Sequence, residues 1–228
     1  MADFGLKVVN ANGFLQIDST YANLGLRQKG SITSGGAATA NGWYAATLTV
    51  AYGVSPMLAV RPASGQCVLV STSVSGSNIT YKFYCNASGV AITYWLFDSP
   101  AGITGSGSYG LIVRNSSGSP VFDSRMSYLR ILDFINGTGT NVSLSTPYSK
   151  TIAVVQTQLW YSWGISTPPY PQTGGIVNFL AMPFAVSNNT FSASSGQLID
   201  YSRQDPAPAI NSTARNGYAY IIVDVTNM

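Results

Sequence analysis

Apolar side chains fall at every second position from the start of the chain: Phe4, Leu6 and Val8 share one face of an extended segment, and Tyr109, Leu111 and Val113 repeat the arrangement. Further along, Trp43 to Val50, Met57 to Arg61, Cys67 to Val74, Asn78 to Tyr84 and Val90 to Asp98 read as strands. So do Ser127 to Phe134, Lys150 to Tyr161, Ile176 to Val186, Thr190 to Ser192, Leu198 to Tyr201 and Tyr218 to Val225. Gly, Asn, Ser and Pro punctuate the first series at short, regular intervals. That spacing predicts an all-β chain of β-sandwich or jelly-roll type with almost no helix.

The two period-two segments are related by a constant offset. Phe4 to Leu24 aligned without gaps on Tyr109 to Leu129 gives 8 identities in 21 positions, against about one or two for unrelated chains. Each segment reads as a hairpin, turning at Asn10 to Gly13 and at Asn115 to Gly118. Gly13 and Gly118 supply the positive φ of a short bulged loop. Asp18 and Asp123 end the return strands, where a carboxylate accepting from the following amides turns the chain, a structural role. The segments Tyr94-Trp-Leu-Phe-Asp98 and Tyr220-Ile-Ile-Val-Asp224 also end alike. The expectation is an internal duplication: two tandem β-sandwich domains, 1–105 and 106–228, joined by the Gly/Ser-rich run Pro100 to Ser108. The second is longer, and its extra length is expected in two loops, Trp160 to Gly175 and Gln204 to Gly217, the kind of position where binding specificity resides.

Composition narrows the chemistry. Only 8% of residues are charged, all 8 acids are Asp, and there is no His. A Ser-His-Asp relay is closed for want of an imidazole, and no Glu is present to pair with an Asp as acid and base. No Asp cluster has calcium-loop spacing, and two Cys without His do not complete a zinc site. The expectation is a protein that is not an enzyme and has no cofactor and no metal. A net charge of +3 is spread over 11 basic residues, of which Arg114, Arg125 and Arg130 are the tightest group. This is too diffuse for a nucleic-acid surface. The first residues carry no signal-peptide pattern, and the richest apolar run, Ile176 to Val186, is interrupted by Asn178 and Pro183, so no membrane insertion is expected.

Two features remain. If Val68 to Val74 and Asn78 to Tyr84 form a hairpin turning at Gly76-Ser77, Cys67 and Cys85 fall nearly opposite each other, as two core thiols or as a disulfide in an oxidising milieu. The segment Leu159 to Gly174 is the richest in aromatics and prolines. Trp160, Tyr161, Trp163 and Tyr170 are candidate contacts for a partner protein or a sugar face, the alternative being that Trp160 and Trp163 pack into the chain's own core.

At the two Tyr/Phe-Gly-Leu-x-Val-x-Asn-x-x-Gly-x-x-x-x-Asp-Ser hairpins, and above all at Tyr109 to Asp123 followed by Tyr128-Leu-Arg130, the chain resembles small tail-associated structural proteins of tailed bacteriophages and prophages. The resemblance covers about a fifth of the chain. It implies a virion component of the tail tip, baseplate or fibre, assembled in the bacterial host cytoplasm, whose partners are other tail proteins and further copies of itself. It implies no catalytic residues. Binding of a host surface glycan through exposed aromatics is the alternative function.

Overall fold

The computed structural model describes residues 22–36, 39–103, 105, 107–166, 174–206 and 213–228, with the backbone of two short strands before them. Those strands, β1 (Val8–Val9) and β2 (Leu15–Ile17), pair as a hairpin. Six follow before residue 105: β3 (Gly25–Thr33), β4 (Tyr44–Ala51), β5 (Met57–Pro62), β6 (Cys67–Ser75), β7 (Asn78–Cys85) and β8 (Ala91–Asp98). A second hairpin, β9 (Ile112–Arg114) and β10 (Pro120–Asp123), leads into β11 (Ile131–Thr138), β12 (Ser143–Pro147), β13 (Ile152–Gln158), β14 (Tyr161–Ser166) and β15 (Gly175–Ala181). The chain ends with β16 (Phe184–Ser187), β17 (Thr190–Ser194), β18 (Gln197–Gln204), β19 (Thr213–Arg215) and β20 (Gly217–Asp224). One 3-10 turn, Pro100–Gly102, is the sole helical element among the described residues.

The fold is all-β. Alternation explains the strands: in β7, Ile79, Tyr81, Phe83 and Cys85 are buried while the residues between them are not, and in β4 Ala46, Leu48 and Val50 do the same. Two six-stranded antiparallel sheets face each other, ordered β11-β20-β13-β5-β8-β3 and β12-β17-β16-β6-β7-β4. Between them lies a core of Phe83, Ile92, Leu96, Ile152, Met182, Phe184, Phe191, Tyr220 and Ile222 with their neighbours.

Each sheet takes three strands from either side of residue 105. The boundary expected near Gly105 thus divides two halves of one sandwich rather than two sandwiches each closed on itself. The seams are β5 against β13, with Val60 opposite Val154, and β6 against β16, with Cys67 opposite Phe184. The physical reason is edge burial: a three-stranded half-sheet leaves an apolar strand with unpaired amides at its inner edge, and joining the halves pairs both edges while enlarging one core. Strand order reads the same from either end, since β3-β8-β5 matches β11-β20-β13 and β4-β7-β6 matches β12-β17-β16. Polar bridges also cross between halves. A bulge in β6 interrupts the ladder between Leu69 and Ser71, and the Gln156 amide of β13 there accepts from the Leu69 N–H at 3.0 Å and donates to its carbonyl at 3.1 Å. Arg61 of β5 donates to the Ile152 carbonyl and to the Asn189 side chain.

Of the two stretches expected as loops, the described residues include strands β14 and β19, and residues 167–173 and 207–212 lie outside the described residues. These strands join a third sheet, β18-β15-β14-β19, in which Tyr161, Trp163 and Ile165 alternate with Ser162, Gly164 and Ser166. This sheet packs on the first half, where Phe179, Ala181 and Ile199 meet Trp43 and Val68, with Val70 and Tyr84 alongside. The 39–43 turn fixes the edge of β18: Thr39 donates to the Ile199 carbonyl, and Asn41 and the Trp43 indole to that of Leu198. Ser166 and Gly174 flank a segment outside the described residues, which includes Tyr170.

Candidate functional site

Among the described residues three carboxylates are buried, Asp98, Asp123 and Asp224, and buried acids are where catalytic groups reside when a fold has them. At the end of β8, Asp98 accepts from the backbone amides of Val54, Ser55 and Ser99 and from the Arg27 guanidinium at 2.9 Å. It borders a cavity of about 200 Å3 with Arg27, Tyr52, Val54 and Ile103, but every oxygen is engaged. Gly53 is required there: a Cβ would land on the Asp98 carboxylate.

At the end of β10, Asp123 accepts from the Arg125 amide and from its guanidinium at 2.8 and 2.6 Å. Those charge-assisted bonds from Arg125 hold the carboxyl down at about 2 against the resistance of partial burial. At the end of β20, Asp224 accepts from the Thr226 amide and pairs with Arg130 at 3.6 Å. Burial pushes it up, but the Thr226 bonds and the Arg130 and Lys150 charges outweigh this and leave it below the ordinary value. These acids are occupied by donors and sited at strand ends, so their geometry is that of chain-turning braces.

The hairpin before Asp123 closes as a turn at Asn115, whose carboxamide oxygen accepts from the Ser117 and Ser119 amides, with Gly118 at φ 82°. Gly13 and Asp18, the matching positions of the first hairpin, lie outside the described residues. Arg114 donates to the Gly118 carbonyl and Arg130 to that of Thr226, so Arg114, Arg125 and Arg130 serve three separate turns. Among the described residues, no three His, Cys, Asp or Glu side chains gather in a metal-binding group.

Cys67 and Cys85 face each other directly across β6 and β7. Both are free thiols at 0% exposure. Burial drives both up, Cys67 well above its usual range and Cys85 to about 11, where a bond with the Ser34 hydroxyl pulls the other way.

The aromatic candidates separate. Trp160 is 3% exposed in the core, its indole donating to the Gly139 carbonyl at 2.7 Å; as a partner or glycan contact it is corrected to a core residue, because a buried and satisfied indole offers nothing to a ligand. Tyr161 and Trp163 lie on one face of β14, and Trp163 is 40% exposed with its ring against Phe179 at 4.6 Å. With Phe179, Val70, Leu159 and Thr213 they line an open groove of about 410 Å3. Tyr170 lies outside the described residues.

Sequence reasoning missed Val70 and Phe179 of this groove. Val70 comes from the first half, and its contact with the third sheet leaves no local signal. It also missed the apolar edge of β11, where Ile131 and Phe134 are each 56% exposed and Leu132 is 40% exposed. No helix among the described residues is long and apolar enough to cross a membrane. No protein-family model, curated protein or solved structure matches the chain.

Proposed function

We propose that the chain is a non-catalytic structural module of a tailed-phage virion, a connector or host-contacting part of the tail tip, baseplate or fibre, assembled in the host cytoplasm. The observation that carries the reading is the edge strand β11, which leaves Ile131, Leu132 and Phe134 in solvent at the end of a sheet. Edge strands of free-standing proteins are normally blunted with charge or proline, and an apolar, unpaired edge suits a surface covered by a neighbour. Low charge and the commitment of the three buried carboxylates among the described residues to strand ends support a scaffold over an enzyme. Other tail proteins and further copies of the chain are the proposed partners.

Particles produced by the genome that encodes the chain provide the test. Mass spectrometry of purified virions is expected to find the chain at a fixed copy number, and Phe134→Lys to lower its incorporation while circular dichroism stays that of wild type. Absence of the chain from intact particles would sink the assignment.

A second reading, binding of a host glycan, is favoured by the groove around Trp163. Its size is within the usual range for small-ligand sites, and the Trp163 ring offers an aromatic platform for the apolar face of a sugar. Glycan-array hits that vanish in Trp163→Ala with virion incorporation intact would establish it; an array without hits would remove it.

A further inference from the structure

We propose that Cys67 and Cys85 form a latent cross-strand disulfide, a dithiol that a low-molecular-weight disulfide such as oxidised glutathione closes into a staple across the seam strand β6. The register carries the inference. The two residues are direct partners in the antiparallel pair β6 and β7. Direct partners in such a pair have Cα atoms about 4.5 or 5.5 Å apart according to the ladder site. Both separations lie inside the range that a disulfide spans, so closure needs no shift of strand register. The side chains share a face, both buried in the inter-sheet core.

The site is also placed to matter. Cys67 has Cys85 on one side and Phe184 of the second half on the other. A bond there fixes the strand that carries the seam of its sheet. The corresponding row of the second half sets Phe184 opposite Ala193, so the staple belongs to the first half.

The exchange is balanced. One cysteine thiolate attacks a sulfur of oxidised glutathione and expels a glutathione thiolate, leaving a mixed disulfide. The second attacks the protein sulfur of that bond and expels the other glutathione. The protein loses two protons and two electrons, and one oxidised glutathione becomes two reduced ones. Because neither sulfur is exposed and burial disfavours both thiolates, reaction proceeds through local opening of the β6–β7 hairpin and not from the closed fold.

The full-length chain, purified reduced, is incubated with oxidised glutathione at mildly alkaline pH, with and without sub-denaturing urea. Thiols are counted after denaturation and intact mass is recorded. Both thiols are expected to disappear together with a loss of about 2 Da, faster in urea. Closure of a loop of this length should raise Tm by on the order of 5–10 °C, reversibly with reductant. Cys85→Ala is expected to show no oxidant-dependent rise. Persistent glutathione adducts on both cysteines, two thiols surviving in urea, or the same Tm rise in Cys85→Ala would overturn the proposal. The wild-type mass decides even where that variant does not fold.

Discussion

Strands β3 and β11 stand at opposite ends of the same sheet and are built to one plan with opposite surfaces. Each meets its inner neighbour through the same irregularity: Leu26 pairs with Phe97 and Gln28 with Leu96, skipping Arg27, while Ile131 pairs with Val223 and Asp133 with Ile222, skipping Leu132. The next residue is Lys29 in one and Phe134 in the other. Lys29 lies over the Trp95 ring and donates to the Met228 carbonyl, so that its cation closes the edge and its stem covers the indole. Phe134 has no such task and stands exposed beside Ile221. The β3 end of the sheet carries a cation over its indole, and the β11 end leaves apolar side chains in solvent. The same contrast holds along the chain, where the first half is a bare set of strands and the second carries the additional sheet with the aromatic groove.

The largest effects of substitution belong to the seam. Phe184→Ala removes a fully buried ring that touches both halves and Tyr220, with an expected loss of about 3–5 kcal/mol. Urea unfolding should show it as a lower midpoint. Gln156→Ala strands the Leu69 N–H and carbonyl at the β6 bulge, and a loss of about 1–3 kcal/mol should appear in the same experiment.

Acid provides a gentler probe. Asp123 is held at about 2 and Asp224 also lies below its ordinary value of 3.8. Depressed carboxylates contribute stability that is complete above the unfolded value, so it should drain away as pH falls from about 4 towards the folded values. Thermal melts between pH 5 and 2 follow this, and Asp123→Asn is expected to flatten part of the slope.

The smallest effect on stability belongs to the edge exchange. Phe134→Lys should change it by no more than about 0.5 kcal/mol while reducing self-association, read by light scattering. Lys29→Phe should do the reverse and promote association at the β3 end.

Much of the sandwich was legible because alternation is strongest where one face of a strand is buried. The expected spans of β4 to β8 lie within a residue or so of those observed. Two edge strands were not: Gly25 to Thr33 and Ser143 to Pro147 bury few side chains and so leave little pattern to read. The apolar run Ile176 to Val186 reads as one strand, yet it divides at Met182-Pro183, where the chain passes from the third sheet into the core sheet. Hydrophobicity persists across the break because Ala181, Met182 and Phe184 are all fully buried. The hairpin at Asn115 to Asp123 was readable since its turn chemistry is local, whereas the groove draws Val70 and Trp163 together from distant parts of the chain. Seam formation was unreadable for the same reason: nothing in β5 or β13 alone says that each will pair with the other.

That seam is the centre of the account, and hydrogen exchange in increasing denaturant tests it most directly. If the halves share one core, the slowest amides of β8 and β20 should converge on one opening free energy, and those at the Val60 and Val154 junction should join them. Two separate values, one for residues before 105 and one for those after it, would contradict a shared sandwich and restore two independent domains.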